Sequence, residues 1–293
     1  MRQYEGAILD AYSHVVHERD ARRYAPAKLD WLAEGVLIVH RLGTPETTAI
    51  VHPRKFTAAI MSAAQSHGAE LRPGQVTGMV RSADGSRVTG VDVNGGVIEA
   101  DAVVIAMGPW SVMAAEWVHL PAVFGQRSPS IVYDTGTDVP ADALFLEYHE
   151  ESGAVVTVEV FPRADGSTLI TAFSDQVPLP LDPAAVTPDA SAVERLQAIC
   201  GRLSPMFRAE RIIARQACFR PVTQDGLPMI GKVPQSEGIY VATGHSVWGI
   251  LNAPATGEAL AELIADGCAR STDLTPFDPI RLRPLDPWLL RSS

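Results

Sequence analysis

Apolar and polar positions along this chain follow two periods, and the switches between them mark the expected elements. Residues 4–16 space their apolar side chains as an amphipathic helix does, and 36–39 reads as a short buried strand. Residues 48–51 form another apolar run, followed by His52, which is expected to orient the loop, and Pro53. Proline suits a first helical turn because it lacks an N–H that a helix start cannot use. Phe56, Ala59, Ile60 and Ala63 then recur at helical spacing to about Gln65, with Gly68 as the stop.

The period next drops to two. Residues 76–80, 88–93 and 97–100 predict a meander, because Asp84-Gly85 and Asn94-Gly95 are hairpin-turn pairs. Residues 102–106 are apolar without alternation, which predicts a strand buried on both faces. That strand runs into Met107-Gly108-Pro109-Trp110-Ser111, and a buried strand ending in glycine is where α/β sheets place ligands. Residues 130–133, 143–146, 155–160 and 168–171 are further strands, with Asp165-Gly166 as a turn between the last two; their spacing predicts an antiparallel sheet. Residues 178–188 form a proline-rich connection. A helix is expected over 192–203, with Val193, Leu196, Ile199 and Leu203 on one face. Residues 237–244 read as a turn and a strand ending in glycine, and 256–265 as an Ala-rich helix. Pro276, Pro279, Pro284 and Pro287 predict an extended tail over 269–293.

Composition narrows the class. A chain of 293 residues with 46% hydrophobic and 20% charged residues has enough apolar material for one large or two modest cores. The net charge of −10, without a basic block, argues against nucleic acid as partner. Cys200, Cys218 and Cys268 are odd in number and widely spaced, so neither a disulfide framework nor a metal site is expected. No apolar run reaches the roughly 18 residues of a spanning helix, and the N-terminus has no signal-peptide core, so no membrane association and a cytoplasmic location are expected.

Two stretches concentrate candidate chemistry: Cys218-Phe219-Arg220-Pro221-Val222-Thr223-Gln224-Asp225-Gly226-Leu227-Pro228-Met229-Ile230-Gly231, and the segment from Gly244-His245-Ser246-Val247-Trp248-Gly249-Ile250-Leu251 to Gly257. Arg220 sits among apolar neighbours where a lone guanidinium is costly, and its planar fork matches a carboxylate. A structural ion pair would use the same residue. Asp225-Gly226 by itself is a turn. Gly244 to Leu251 precedes a helix start, whose N–H groups stabilise negative charge. His245 and Trp248, taken alone, fit a hydrogen-bonded loop group and a core side chain equally well.

Together these stretches resemble the flavin-and-substrate signature of the D-amino-acid oxidase superfamily of FAD-dependent oxidoreductases, which includes glycine and sarcosine oxidases. The resemblance covers about residues 36–268. It implies an α/β (α+β) fold in which an FAD-binding domain, 48–115 with 216–268, interleaves with a mostly antiparallel substrate domain, 1–47 with 116–215. It implies non-covalent FAD and a small carboxylate-bearing amine as substrate, with oxygen or another electron acceptor. The implied reaction is oxidation of the C–N bond of an amino acid or N-alkyl amino acid by hydride transfer to flavin N5. Arg220 would anchor the carboxylate, with His245 and Trp248 beside the reacting centre and Trp248 excluding water. Val76, Gly108, Trp110, Gly226, Gly244, Gly249, Ile250 and Leu251 would contact the cofactor. Glycine oxidases carry an arginine in the second stretch where this chain has Val247, which puts glycine itself in doubt as substrate. The family opens with a strand, a G-x-G-x-x-G turn and a helix, and no such pattern occurs in this sequence. An N-terminally truncated FAD-binding domain is therefore expected, along with weakened FAD affinity and an exposed sheet edge. A non-catalytic remnant and a 2-hydroxy-acid oxidase or dehydrogenase remain as alternatives.

Overall fold

The computed structural model describes residues 30–36, 42–43 and 48–286. The helix expected over 4–16, positions 37–39 of the first expected strand and Pro287 lie outside the described residues. In chain order the elements are α1 (Pro53–Ser66), β1 (Val76–Arg81), β2 (Val88–Val93), β3 (Gly96–Glu99), β4 (Val103–Ile105), β5 (Val123–Asp134), β6 (Leu144–His149), β7 (Val155–Pro162), β8 (Ser167–Thr171), β9 (Asp175–Gln176), α2 (Ala190–Leu203), β10 (Ile212–Thr223), β11 (Met229–Lys232), β12 (Ile239–Thr243) and α3 (Gly249–Asp266). The chain divides into two compact units. One comprises Met1–Thr57, Ser128–Ser174 and Thr187–Cys218; the other comprises Ala58–Arg127, Asp175–Val186 and Phe219–Ser293.

In the first unit the sheet contains β8, β7 and β6, with antiparallel β8–β7 and β7–β6 ladders, and residues 130–134 of β5 pair antiparallel with β8. Strand β7 shows why sequence alternation found it: Val156, Val158 and Val160 are buried, while Val155 and Thr157 are exposed. Their buried face and Ile131, Tyr133 and Ile170 form a core with Val193, Leu196, Ile199 and Leu203 of α2. Each such fully buried aliphatic side chain contributes about 1.5–3 kcal/mol. Helix α2 starts where Asp189 accepts a hydrogen bond from the Ala192 amide at 2.9 Å, a cap worth about 1 kcal/mol. Cys200 lies in this core, and burial pushes its thiol up to about 12, so it is not a reactive thiolate.

In the second unit β1-β2-β3 form the meander, and its second hairpin turns at Asn94-Gly95 with both φ angles positive, as such a two-residue turn requires. A second sheet has the order β11-β12-β4. Strand β12 pairs antiparallel with β11 and parallel with β4, in the register Ile239↔Val103 and Val241↔Ile105. Val88, Ile105, Leu120, Met229, Val233, Ile239 and Val241 are its core.

The architecture is the mixed α/β one expected, with four local corrections. Strand β4 is not buried on both faces: Ile105 is buried, but Val104 is 40% exposed. Among the described residues β4 pairs only with β12, so it is an edge strand and one side lacks cover. The helix expected from 256 begins at Gly249 and continues through Pro254. It tolerates a proline that removes one internal hydrogen bond near its start. Strands β10 and β11 cover residues for which no strand was expected; in β10, Arg215, Gln216 and Arg220 break the alternation. The described part of the tail is not continuously extended: Thr275–Phe277 and Pro279–Arg281 each form one 3-10 turn, with proline in the first positions. Among the described residues no helix is long and apolar enough to cross a membrane, and no group of three His, Cys, Asp or Glu could hold a metal.

Candidate functional site

Every site residue expected from the sequence falls in the second unit. The parallel pairing of β4 and β12 explains how two of them meet. Parallel strands end at the same edge, so the residues after Ile105 and after Thr243 emerge side by side. Thr243 Oγ1 donates a hydrogen bond of 2.8 Å to the Gly108 carbonyl and ties the two strand ends together. Gly108 has φ +56° and begins a 3-10 helix over Gly108–Glu116. Within it, Trp110 is half-buried and its Nε1–H donates to Pro180 O at 2.7 Å.

The turn at 223–227 packs on the other strand end. Thr223 Oγ1 lies 3.1 Å from Asp225 Oδ1 and 2.6 Å from Leu227 O, while the Leu227 amide donates to Asp225 Oδ1 at 3.1 Å. Gly226, with φ +75°, is the exposed tip. A Cβ on Gly244 would stand 2.6 Å from Thr223 Cγ2 and 3.4 Å from Pro228 Cα, so the turn lies directly against Gly244. Burial alone raises the Asp225 pKa. Hydrogen bonds from Arg281, the Leu227 amide and Thr223, with the Arg281 charge, outweigh it and hold the carboxyl below its ordinary value. Arg220 lies half-buried in β10, just before this turn, and engages a neighbouring group.

After Gly244 the chain makes a tight turn. Ser246 is held at φ +49°, a conformation that non-glycine residues seldom adopt and that clusters at functional loops. The turn delivers Gly249 as the first residue of α3, and this helix start has no side-chain cap and no acidic residue in its first turn. Val247, Trp248, Ile250 and Leu251 around it are exposed, Leu251 by 72%. An uncapped helix start offers unpaired N–H groups, and the flanking apolar side chains offer a surface for a flat ring. These features fit the ring end of a partly anionic flavin. Val76, by contrast, stands at the start of β1 opposite Val93 in the meander sheet. For the pyrophosphate, the sequence provides no glycine-rich turn.

His245 Nε2 is 3.0 Å from Thr256 Oγ1, one helical stretch further on, and burial lowers its pKa from the ordinary 6.5. The folded chain therefore resists the proton that the unfolded chain accepts. The contribution of neutral His245 to stability is present in full above about pH 6.5 and is lost as pH falls toward its lowered folded-state value. Urea unfolding of wild type and His245→Asn between about pH 5 and 7.5 is expected to show a stability loss on acidification that the variant reduces. Equal pH slopes in both proteins would remove His245 from this account.

Sequence reasoning missed Thr256, Pro180 and Arg281, the partners of His245, Trp110 and Asp225. Pairing at such separations leaves no local signal, and only the prolines around Arg281 hinted that its backbone was shaped.

Residues 3–263 match the family model described as FAD dependent oxidoreductase. A Schizosaccharomyces pombe protein named as an oxidoreductase is 28% identical over 87% of this chain and 70% of its own length. The Saccharomyces cerevisiae protein TDA3, also named as an oxidoreductase, is 30% identical over 92% of this chain and 58% of its own. The crystal structure of glycine oxidase from Geobacillus kaustophilus superposes with a TM-score of 0.63 at 29% identity, covering 76% of this chain and 56% of that one. The chain thus spans little more than half the length of the last two.

Proposed function

The chain belongs to the FAD-dependent oxidoreductase family, and on that premise we propose that it takes part in oxidising the C–N bond of a small amino acid or N-alkyl amino acid. The convergence of Gly108, the 223–227 turn and the uncapped start of α3 at the ends of two parallel strands carries this reading. Bound non-covalently, FAD supplies the two-electron acceptor for such an oxidation. Arg220 holds the substrate carboxylate through a charge-assisted fork. The α3 N–H groups at Gly249, Ile250 and Leu251 stabilise negative charge on the ring. Gly108, Gly226 and Gly244 let main chain approach it, and Trp110 keeps the Gly108 turn in place through Pro180. Trp248, with its large apolar face, shields the reacting centre from water. His245, whose burial disfavours the charged form, adds no positive charge beside the incoming amine. No side-chain base is needed when the amine enters neutral. The final electron acceptor is oxygen or another small oxidant.

Glycine oxidase among the structural neighbours supports the amino-acid substrate class. Reconstitution with FAD, followed by anaerobic addition of glycine, N-methylglycine, other amino acids and 2-hydroxy acids, tests it. Loss of visible flavin absorbance with amines but not hydroxy acids is the expected result. Bleaching by hydroxy acids alone would move the assignment to hydroxy-acid oxidation. A folded chain that takes up no FAD would point to a non-catalytic form.

A further inference from the structure

The second unit contains an ion pair that neither motif explains, made by a residue beyond the end of the family match at 263. Arg281 closes the 3-10 turn Pro279–Arg281. Its Nε donates to Asp225 Oδ2 at 2.7 Å, and its Nη2 donates to Asp225 Oδ1 at 3.1 Å and to Leu227 O at 2.7 Å. Nη1 donates back to Asp278 O at 3.1 Å, so the guanidinium is used on both edges. Its side chain is 17% exposed, well below the usual surface arginine. The backbone carrying it is itself fastened. The Leu285 amide donates to Leu120 O at 2.9 Å, Leu282 and Leu285 pack against the core of this unit, and Pro279 is buried. From Asp225 the connection continues through Thr223, whose methyl group abuts Gly244, to the His245–Trp248 turn.

We propose that Arg281 is a positioning residue: it straps the 223–227 turn against Gly244 and thereby sets the shape of the turn from His245 to Trp248 that opens α3. Its consequence for the cofactor rests on the flavin reading above; the mechanical coupling does not. A bidentate arginine is suited to this because its fork fixes orientation as well as distance, which a lysine point charge cannot do.

Site-resolved amide hydrogen exchange on the full chain, without cofactor, tests the coupling. Arg281→Met is expected to speed exchange about 10- to 100-fold at the Leu227 amide and at the Trp248 amide, the scale of losing hydrogen bonds to a charged group. The Leu227 amide is bonded to Asp225, and the Trp248 amide donates to His245 O at 2.9 Å. Amides of β7 and β8 should be unchanged. Asp225→Asn should reproduce the effect, the double variant should add nothing further, and Arg281→Lys should restore only part of it. An FAD titration of the same proteins should show affinity falling in the same order.

Faster exchange at Leu227 with Trp248 unaffected would overturn the proposal, because the strap would then be local. Uniform loosening of β4, β12 and α3 in both single variants would also overturn it, as a merely structural role. Equal FAD affinity in wild type and Arg281→Met would overturn the link to the cofactor. Coupled exchange in a wild-type chain that binds no FAD would uphold the strap while refuting the flavin reading.

Discussion

Arg220→Met is expected to lower kcat/KM for a carboxylate-bearing amine roughly 30- to 4,000-fold, with most of the change in KM. Removing one partner of a desolvated, hydrogen-bonded charge pair costs about 2–5 kcal/mol, and about 1.4 kcal/mol is a factor of ten. The loss falls on binding because carboxylate and guanidinium meet equally in the ground state and the transition state. Arg220→Lys retains the charge but not the fork and should recover only part of the loss. An amine without a carboxylate is the control, since its turnover should not depend on residue 220. Arg220 is only half-buried, so the unfolding midpoint should shift far less than the kinetics. Steady-state kinetics on matched amines with and without a carboxylate decide the matter. An equal loss on both would show that Arg220 supports the fold of the site rather than the substrate.

Gly244→Ala is expected to destabilise the second unit by about 2–5 kcal/mol. Two costs add there. The backbone at φ +82° is left-handed, which costs an L-residue about 1–2 kcal/mol. The new methyl would also stand 2.6 Å from Thr223 Cγ2, and overpacking of this kind costs about 1–3 kcal/mol. These terms can be separated. Adding Thr223→Ser removes the opposing methyl group but keeps the hydroxyl that bonds Leu227 O, so the double variant should regain the steric part and not the backbone part. Urea denaturation of the four proteins measures both. A Gly244→Ala protein within about 0.5 kcal/mol of wild type would mean that the turn at 223–227 is free to move away.

The pattern of side chains was a good guide wherever structure is made by neighbours in sequence. The meander was legible because Asp84-Gly85 and Asn94-Gly95 can turn a chain tightly and valines alternate around them. Helix α2 was legible from Val193, Leu196, Ile199 and Leu203, all of which are buried. The sheet of β5 to β8 was legible for the same reason. The start of α3 was misjudged because Pro254 is a local veto on a helix, and the fold overrides it. The exposed face of Val104 was missed because an apolar run says that a strand should be covered, not whether a neighbour is there to cover it.

The candidate site divides along the same line. Its residue types, Arg220 in one stretch and the Gly244–Leu251 turn in the other, were determined by the sequence alone, since fork geometry, positive φ and helix starts are properties of a few adjacent residues. Only the tertiary structure decided that β4 and β12 run parallel, so that Gly108 and Gly244 share an edge, and that Arg281 reaches 56 positions back to Asp225. Those contacts carry no local signature, because they exist only after loop-closure entropy has been overcome by burial of a common core.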